Sequence, residues 1–215
     1  MAEDGETTTV HCPLAFGSIA FWLGRKADEH ATHKWTLYVR GPNGEDPSYF
    51  ISKVVFYLHE SFAQPIREIL EPPFEVSEMG WGEFEARIRV YWKDESEEAI
   101  DFMHTIKLYP AGQVAPSVRK PVVHEFYDEI VFTNPSSEFL QTIAGAASKR
   151  SVMPHPFAGY YPVYSDAHDM QSIVAAQQFV TEELNRAKNE LEVYDAQRTM
   201  YREKITEKSG KSAPR

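Results

Sequence analysis

Cysteine is all but absent: Cys12 is the only one in 215 residues. A single thiol cannot close an internal disulfide, so a reducing compartment is the natural home. In a stretch of strand-like character a lone cysteine reads as a small buried hydrophobe rather than a nucleophile. No apolar run approaches the roughly 18 residues that a membrane-spanning helix needs. The first residues show no basic stretch followed by an apolar one, so no secretory leader is expected either. The phosphate loop Gly-x-x-x-x-Gly-Lys-Ser/Thr is missing. So is the Gly-x-Ser-x-Gly elbow, and His59 with Ser61 alone does not make a hydrolase pair. His30-x-x-His33 has neither a cysteine partner nor an obvious third ligand, so no metal and no cofactor is expected. Positive charge is also scarce, with 22 Lys/Arg against 32 Asp/Glu and a formal net charge of −10. Such a chain repels phosphate backbones and suits a basic partner. The exception is the end, where 198–215 is locally basic and reads as a solvated tail.

Hydrophobic residues make up 42% and charged residues 25%, which fits a chain with a real core. Aromatic residues, at 13%, are plentiful enough to fill a β-rich core or line a binding surface. Residues 1–7 are polar and expected to be disordered. Short strand-like stretches follow at Val10–Gly24, Lys34–Arg40, Ile51–Leu58, Phe84–Trp92, Ile100–Leu108 and Val122–Phe132. The alternation is clearest where Phe84, Ala86, Ile88, Val90 and Trp92 share one face and Glu85, Arg87, Arg89 and Tyr91 the other. Gly41-Pro42-Asn43-Gly44, Pro72-Pro73 and the charged run 93–98 are breaks. Six to eight such strands without intervening helices predict an antiparallel sandwich. Asn134 and Pro135 then predict the cap and first position of a short helix with Phe139, Leu140 and Ile143 on its apolar side, ending near Gly145. Residues 148–165, with Pro154, Pro156, Pro162 and three tyrosines, read as a linker.

From Met170 to Ile205 the apolar spacing alternates between three and four. The seam runs Met170, Ile173, Gln177, Val180, Leu184, Ala187, Leu191, Tyr194, Arg198, Tyr201 and Ile205. A helix of that length spans roughly 55 Å, too long to fold back fully on a small sandwich. The seam predicts a coiled coil over 166–208 with another chain, whether a second copy or a different subunit, and a free tail at 209–215.

Several motifs occur in order. Thr32-His33-Lys34-Trp35 leads into Val39-Arg40-Gly41. Lys53-Val54-Val55-Phe56 and Leu58-His59-Glu60-Ser61-Phe62 follow. Then come Glu71-Pro72-Pro73-Phe74-Glu75-Val76 and Gly80-Trp81-Gly82-Glu83-Phe84, with Thr133-Asn134-Pro135 further on. Together they resemble the YEATS family over residues 8–147, and most closely its glioma-amplified-sequence and Yaf-nine branch. The resemblance implies an all-β immunoglobulin-like antiparallel sandwich that reads acetylated or longer acylated lysine on histone tails. It also implies a nuclear subunit of histone acetyltransferase and histone-variant exchange complexes, recruited through the 166–208 helix, and no enzyme. Carried over residue by residue, one loop supplies His59, Ser61 and Phe62, and another supplies Gly80, Trp81, Gly82 and Phe84. His33 matches a position near the bound peptide backbone. Ala31 stands where some members have an aromatic ring, which thins one wall and leaves the acyl preference open.

The residue types suit that task. Acyl-lysine is neutral and ends in a flat amide, so flat apolar walls and a few aligned hydrogen bonds recognise it. Phe62 and Trp81 are expected to clamp the acyl plane, and the Ser61 hydroxyl to pair with the amide. Gly80 and Gly82 are expected to allow a tight turn close to the ligand. Glu83 and Asp101 are candidates for arginines flanking the modified lysine. The alternative is a scaffold subunit that acts mainly through its C-terminal coiled coil.

Overall fold

The computed structural model describes residues 7–112, 116–147 and 152–210. Eight strands form: β1 (Thr9–Trp22), β2 (His33–Arg40), β3 (Ile51–Tyr57), β4 (Ile66–Ile69), β5 (Phe74–Gly80), β6 (Glu85–Trp92), β7 (Ile100–Thr105) and β8 (Val122–Thr133). Two four-stranded sheets result, ordered β5-β2-β1-β8 and β4-β3-β6-β7, and every pairing is antiparallel. The expected sandwich is present. Two of its strands escape the simple pattern. β4 has only four residues, and β5 alternates only weakly beyond Phe74 and Val76.

Alternation sets the core. Trp35, Leu37 and Val39 of β2 face Val54 and Phe56 of β3 and Ile88 and Val90 of β6, all buried. Helix α1 (Ser137–Ala147) closes the far end. Its Phe139 lies edge-on to Phe132 at 4.9 Å, and Phe132 meets Trp92 in the same way at 5.3 Å. The helix cap differs from expectation. Ser136 Oγ accepts from the Phe139 N–H, while the Asn134 side chain accepts instead from the Thr8 N–H. Asn134 adopts φ 50°, and its own N–H donates to Thr8 O, so it ties off the β1–β8 ladder. The helix also runs through Gly145, to Ala147.

The outer face of the β5-β2-β1-β8 sheet is covered as well. Residues 152–164, which read as a linker, lie across it as a strap. Tyr161 packs on Tyr38, Phe157 and Tyr160 on Phe21, and Tyr164 on Tyr127. Beneath the strap Glu125 has no exposed side-chain surface. It accepts from Arg40 Nε and Nη2 at 2.7 and 2.6 Å, from Tyr38 Oη at 2.7 Å and from Tyr164 Oη at 2.8 Å. Arg40 and Tyr38 sit on β2 and Glu125 on β8, with β1 between them. They reach each other because Gly17, paired with both Tyr38 and Glu125, has no side chain. A Cβ there would fall 2.9 Å from Glu125 Cβ.

A separate unit, 165–215, contains helix α2 (Ala167–Gly210). Its 44 residues give a length of about 65 Å. Ser165 Oγ accepts from the Ala167 N–H at its start. Seam residues Leu184, Leu191, Tyr194 and Ile205 are exposed. No helix among the described residues is long and apolar enough to cross a membrane. The expected disordered ends lie outside the described residues, except that Thr7 is described and that Ser209 and Gly210 continue the helix.

Between the sheets, His104 of β7 is buried beside His124 of β8, with ring centroids 4.9 Å apart, and its Nε2 pairs with Ser18 Oγ at 3.0 Å. Burial first, and then His124, pushes its pKa down to about 4. The folded state therefore resists a proton that the unfolded chain takes up near pH 6.5. The associated stability is complete above pH 6.5 and falls as the pH drops toward 4. Urea unfolding is expected to show a loss of roughly 2 kcal/mol between pH 7 and pH 5, and a much smaller one in His104→Gln.

Candidate functional site

Strand register brings two loops to one end of the sandwich. Tyr57, the last residue of β3, pairs with Arg87 near the start of β6, so the 58–65 connection lies beside the entry to β6. β5 ends at Gly80, opposite His33 at the start of β2. The 81–84 connection crosses from there to β6. His33, His59, Ser61, Phe62, Gly80, Trp81, Gly82 and Phe84 therefore all belong to this end.

Trp35 organises it. The indole is fully buried and meets Phe62 and Phe84 nearly edge-on, both at 5.6 Å. Phe62 and Phe84 are 5.6 Å apart, and His59 lies 6.1 Å from Phe84. Each such ring contact adds about 0.5–1.5 kcal/mol beyond area burial. One pillar thus fixes a ring from each loop. Trp81 stands outside this cluster. It is 62% exposed and has no ring partner among the described residues. The free protein therefore holds one ring of the expected clamp in place and leaves the other in solvent.

The first loop is closed by the Leu58 N–H on Pro65 O at 2.7 Å and the Phe62 N–H on His59 O at 3.1 Å. The Ser61 N–H points at His59 Nδ1 (3.2 Å), and Ser61 Oγ lies 2.9 Å from the same nitrogen. A nitrogen that accepts from a backbone N–H carries no proton. Nδ1 is then the acceptor, Ser61 Oγ donates to it, and the hydroxyl lone pairs stay free.

The second loop is fixed from two sides. Gly80 O accepts from the Thr32 N–H and from Thr32 Oγ1, both at 3.2 Å. Thr32 Oγ1 in turn lies 2.9 Å from His33 Nδ1. With its hydroxyl proton on Gly80, Thr32 accepts from His33 Nδ1–H, which fixes that tautomer. His33 is 1% exposed, its ring meets Tyr109 edge-on, and burial lowers its pKa against the opposing pull of Glu83. Glu83 binds the neighbouring segment. It accepts from the Leu108 N–H (2.9 Å), the Tyr109 N–H (3.3 Å) and Lys107 Nζ (3.0 Å). Burial pushes its pKa upward, but these hydrogen bonds prevail and hold it below the usual carboxylate range.

Three expectations change. The Glu83 carboxylate is already engaged by the 107–109 segment, and Asp101 pairs with Arg89 at 3.3 Å, so neither is idle. Gly80 and Gly82 adopt no positive φ, so conformational freedom is not what either position uses. At Gly80 the issue is room, since a Cβ would sit 3.3 Å from Trp35 Nε1; at Gly82 a Cβ would meet nothing within 4 Å. Thr32 opens one of the sequence motifs but was given no role there, and nothing in the spacing marks Tyr109, which reaches His33 only through the fold. Among the described residues, no group of three His, Cys, Asp or Glu is placed to hold a metal ion.

The profile described as YEATS family matches residues 30–110. The chain is 35% identical over 215 residues to the transcription initiation factor TFIID subunit 14b of Arabidopsis thaliana, covering 87% of this chain and 80% of that protein. It is 45% identical over 142 residues to the AF-9 homolog of Eremothecium gossypii, covering 62% and 68%. Among solved structures, the Yaf9 YEATS domain bound to H3K27ac aligns with a TM-score of 0.58 at 38% identity, covering 67% of this chain and 99% of that one.

Replacing Glu83 with alanine is expected to cost roughly 1.5–3 kcal/mol, since it removes hydrogen bonds to a charged acceptor. Amide hydrogen exchange should accelerate at Leu108 and Tyr109 and stay unchanged along β1 and β8.

Proposed function

The chain belongs to the YEATS family, and from that premise we propose that it reads acylated lysine on histone tails through the two-loop end of its sandwich. One observation carries the reading. Phe62 and Phe84 meet on the Trp35 pillar, with His59 beside Phe84 and Gly80 against the indole, so the loop of His59, Ser61 and Phe62 and the turn of Gly80, Trp81 and Gly82 flank one end of the sandwich, as a slot for a flat neutral amide requires. Family membership and the Yaf9 domain bound to H3K27ac support it.

The chemistry follows from these atoms. Ser61 Oγ, donating its hydrogen bond to His59 Nδ1, accepts the N–H of the acyl-lysine amide through a free lone pair. A backbone N–H of the 80–82 turn donates to the acyl oxygen. Phe62 is one wall, held edge-on by Trp35. Trp81 folds over the acyl group as the other, and the contact recovers apolar surface that is exposed in the free protein. His33, fixed through Thr32 to Gly80, borders the peptide backbone. An unmodified lysine brings a charge into this slot and finds no counterion, at a cost of several kcal/mol. Selectivity therefore comes chiefly from rejecting the cation. The overall acidity of the chain favours a basic tail as the carrier.

Helix α2 supplies the second half of the function. Its exposed three-four seam pairs with a helix of another subunit as a coiled coil, which places the reader in nuclear complexes that acetylate histones or exchange histone variants. The two four-stranded antiparallel sheets, β5-β2-β1-β8 and β4-β3-β6-β7, support the immunoglobulin-like reading of the sandwich.

By titration calorimetry, an acetylated histone H3 peptide is expected to bind with micromolar affinity and its unmodified form at least tenfold more weakly. Trp81→Ala should lose at least tenfold; full affinity in that variant defeats the reader assignment. Truncation after residue 165 should preserve peptide binding and abolish co-purification with partner subunits. A truncated chain that still assembles removes the role given to α2.

A further inference from the structure

Each sheet of the sandwich has two edge strands, β5 and β8 in one and β4 and β7 in the other. An edge carries a row of unpaired backbone groups, and proteins ordinarily keep it short, charged or tied down. Three of the four edges follow that rule. β4 has four residues and β7 has six, and Arg67 of β4 binds Glu78 of β5 on the side where those two strands lie. β8 does not follow it. It runs for 12 residues, contains no lysine, arginine, proline or glycine, and pairs with β1 in one unbroken register, from Thr9 with Thr133 to Ala20 with Val122. Among the described residues, the only partner for a β8 amide outside that ladder is Asp128 Oδ1, which accepts from the Glu129 N–H at 2.8 Å.

The side of the sandwich beside this edge is open. His124 Nδ1 donates to Thr105 O at 3.0 Å, which ties β8 to β7 near one end. Beyond that tie, groups that point toward the core reach solvent. By alternation Phe126 shares the inward side of β8 with Ile130 and Phe132, and Ile100 shares that of β7 with Phe102 and His104. Ile130, Phe132 and His104 are buried, yet Phe126 is 45% exposed and Ile100 is 38% exposed. Phe16 lies between the sheets with its ring 4.4 Å from Phe102 and 5.8 Å from Phe126. The cleft between β7 and β8 therefore has an aromatic floor in reach of water, with a long backbone edge as its rim.

Backbone and floor together select an extended segment. A strand laid along β8 takes up the ladder hydrogen bonds, and every second side chain of it points onto Phe126 and Ile100. Charge selects its sign. Asp128 on the rim is exposed, and the 93–98 turn adds Glu95, Glu97 and Glu98 where Asp94 Oδ2 accepts from the Ser136 N–H just past the end of β8. A second copy of β8 is disfavoured as the occupant. It would set one row of acidic residues beside another, on chains that each carry a formal charge of −10.

We propose that β8 is a docking edge for an extended segment of another protein, one that alternates apolar and basic residues and joins the β5-β2-β1-β8 sheet as a fifth strand. The proposal does not rest on the acyl-lysine reading. The full-length chain is studied by amide hydrogen exchange with a capped Lys-Val-Lys-Val-Lys-Val-Lys peptide, its backbone N-methylated form and a glutamate version of the same pattern. The lysine peptide slows exchange at those amides of 123–129 that face away from β1, and the other two peptides do not. The N-methylated form keeps the side chains and blocks the ladder, so it separates strand addition from attraction by charge alone. Asp128→Lys, an exposed substitution that places a guarding cation on the edge, keeps the wild-type unfolding midpoint and weakens the protection by about fivefold or more. Equal protection by the N-methylated or the glutamate peptide, no protection at these amides, protection that grows with protein concentration in the absence of peptide, or a wild-type response in Asp128→Lys overturns the proposal.

Discussion

The Glu125 side chain is sealed from water, so the fold itself must supply its hydrogen bonds, and four donors from two parts of the chain do so. Taking a carboxylate and a guanidinium out of water costs several kcal/mol per ion. Their attraction offsets that only when the geometry is good and the remaining lone pairs are filled. Both conditions hold here. The arrangement does little for net stability compared with an apolar replacement, but it fixes which groups lie together. Arg40 and Tyr38 come from β2, Glu125 from β8 and Tyr164 from the strap. The bonds are possible only because β1 offers Gly17 at the crossing point. A single missing side chain on a central strand thus decides whether the outer face of the sheet is wet or covered.

β2 is where the two ends of the molecule meet. Its inward side carries Trp35, the pillar for Phe62 and Phe84, and its outward side carries Tyr38 and Arg40, the footing of the strap. The period of two keeps these roles on opposite faces. The two-loop end draws its rigidity from the core, and the strap draws its own from the buried ion pair.

Much of this was legible in the sequence. Alternation at 84–92 marks β6 residue by residue, and the aromatic Trp35 in an alternating strand reads correctly as core. The loop motifs around His59 and Trp81 locate one end of the sandwich. Contacts between residues far apart in the chain were not legible. Glu83 reads as a surface acid until the fold brings the Leu108 and Tyr109 amides to it. Asn134 looks like a helix cap because its type and the proline after it fit one. The structure gives that task to Ser136, since the Thr8 backbone competes for the asparagine. The strap reads as a linker because proline and tyrosine spacing has no period. Its burial depends on partners from β1, β2 and β8, more than a hundred residues earlier in most cases.

The bond between Tyr164 and Glu125 also has a mechanical meaning. Tyr164 is the last residue gripped by the sandwich, and α2 begins at Ala167. Only Ser165 and Asp166 intervene, a leash of roughly 10 Å when taut. In whatever direction the helix is pulled, the load reaches the body at a phenol bonded to a buried carboxylate, before any strand of either sheet is strained. The strap therefore acts as a strain relief, like the collar where a cable enters a housing, and shields the two-loop end from any load that arrives along the helix.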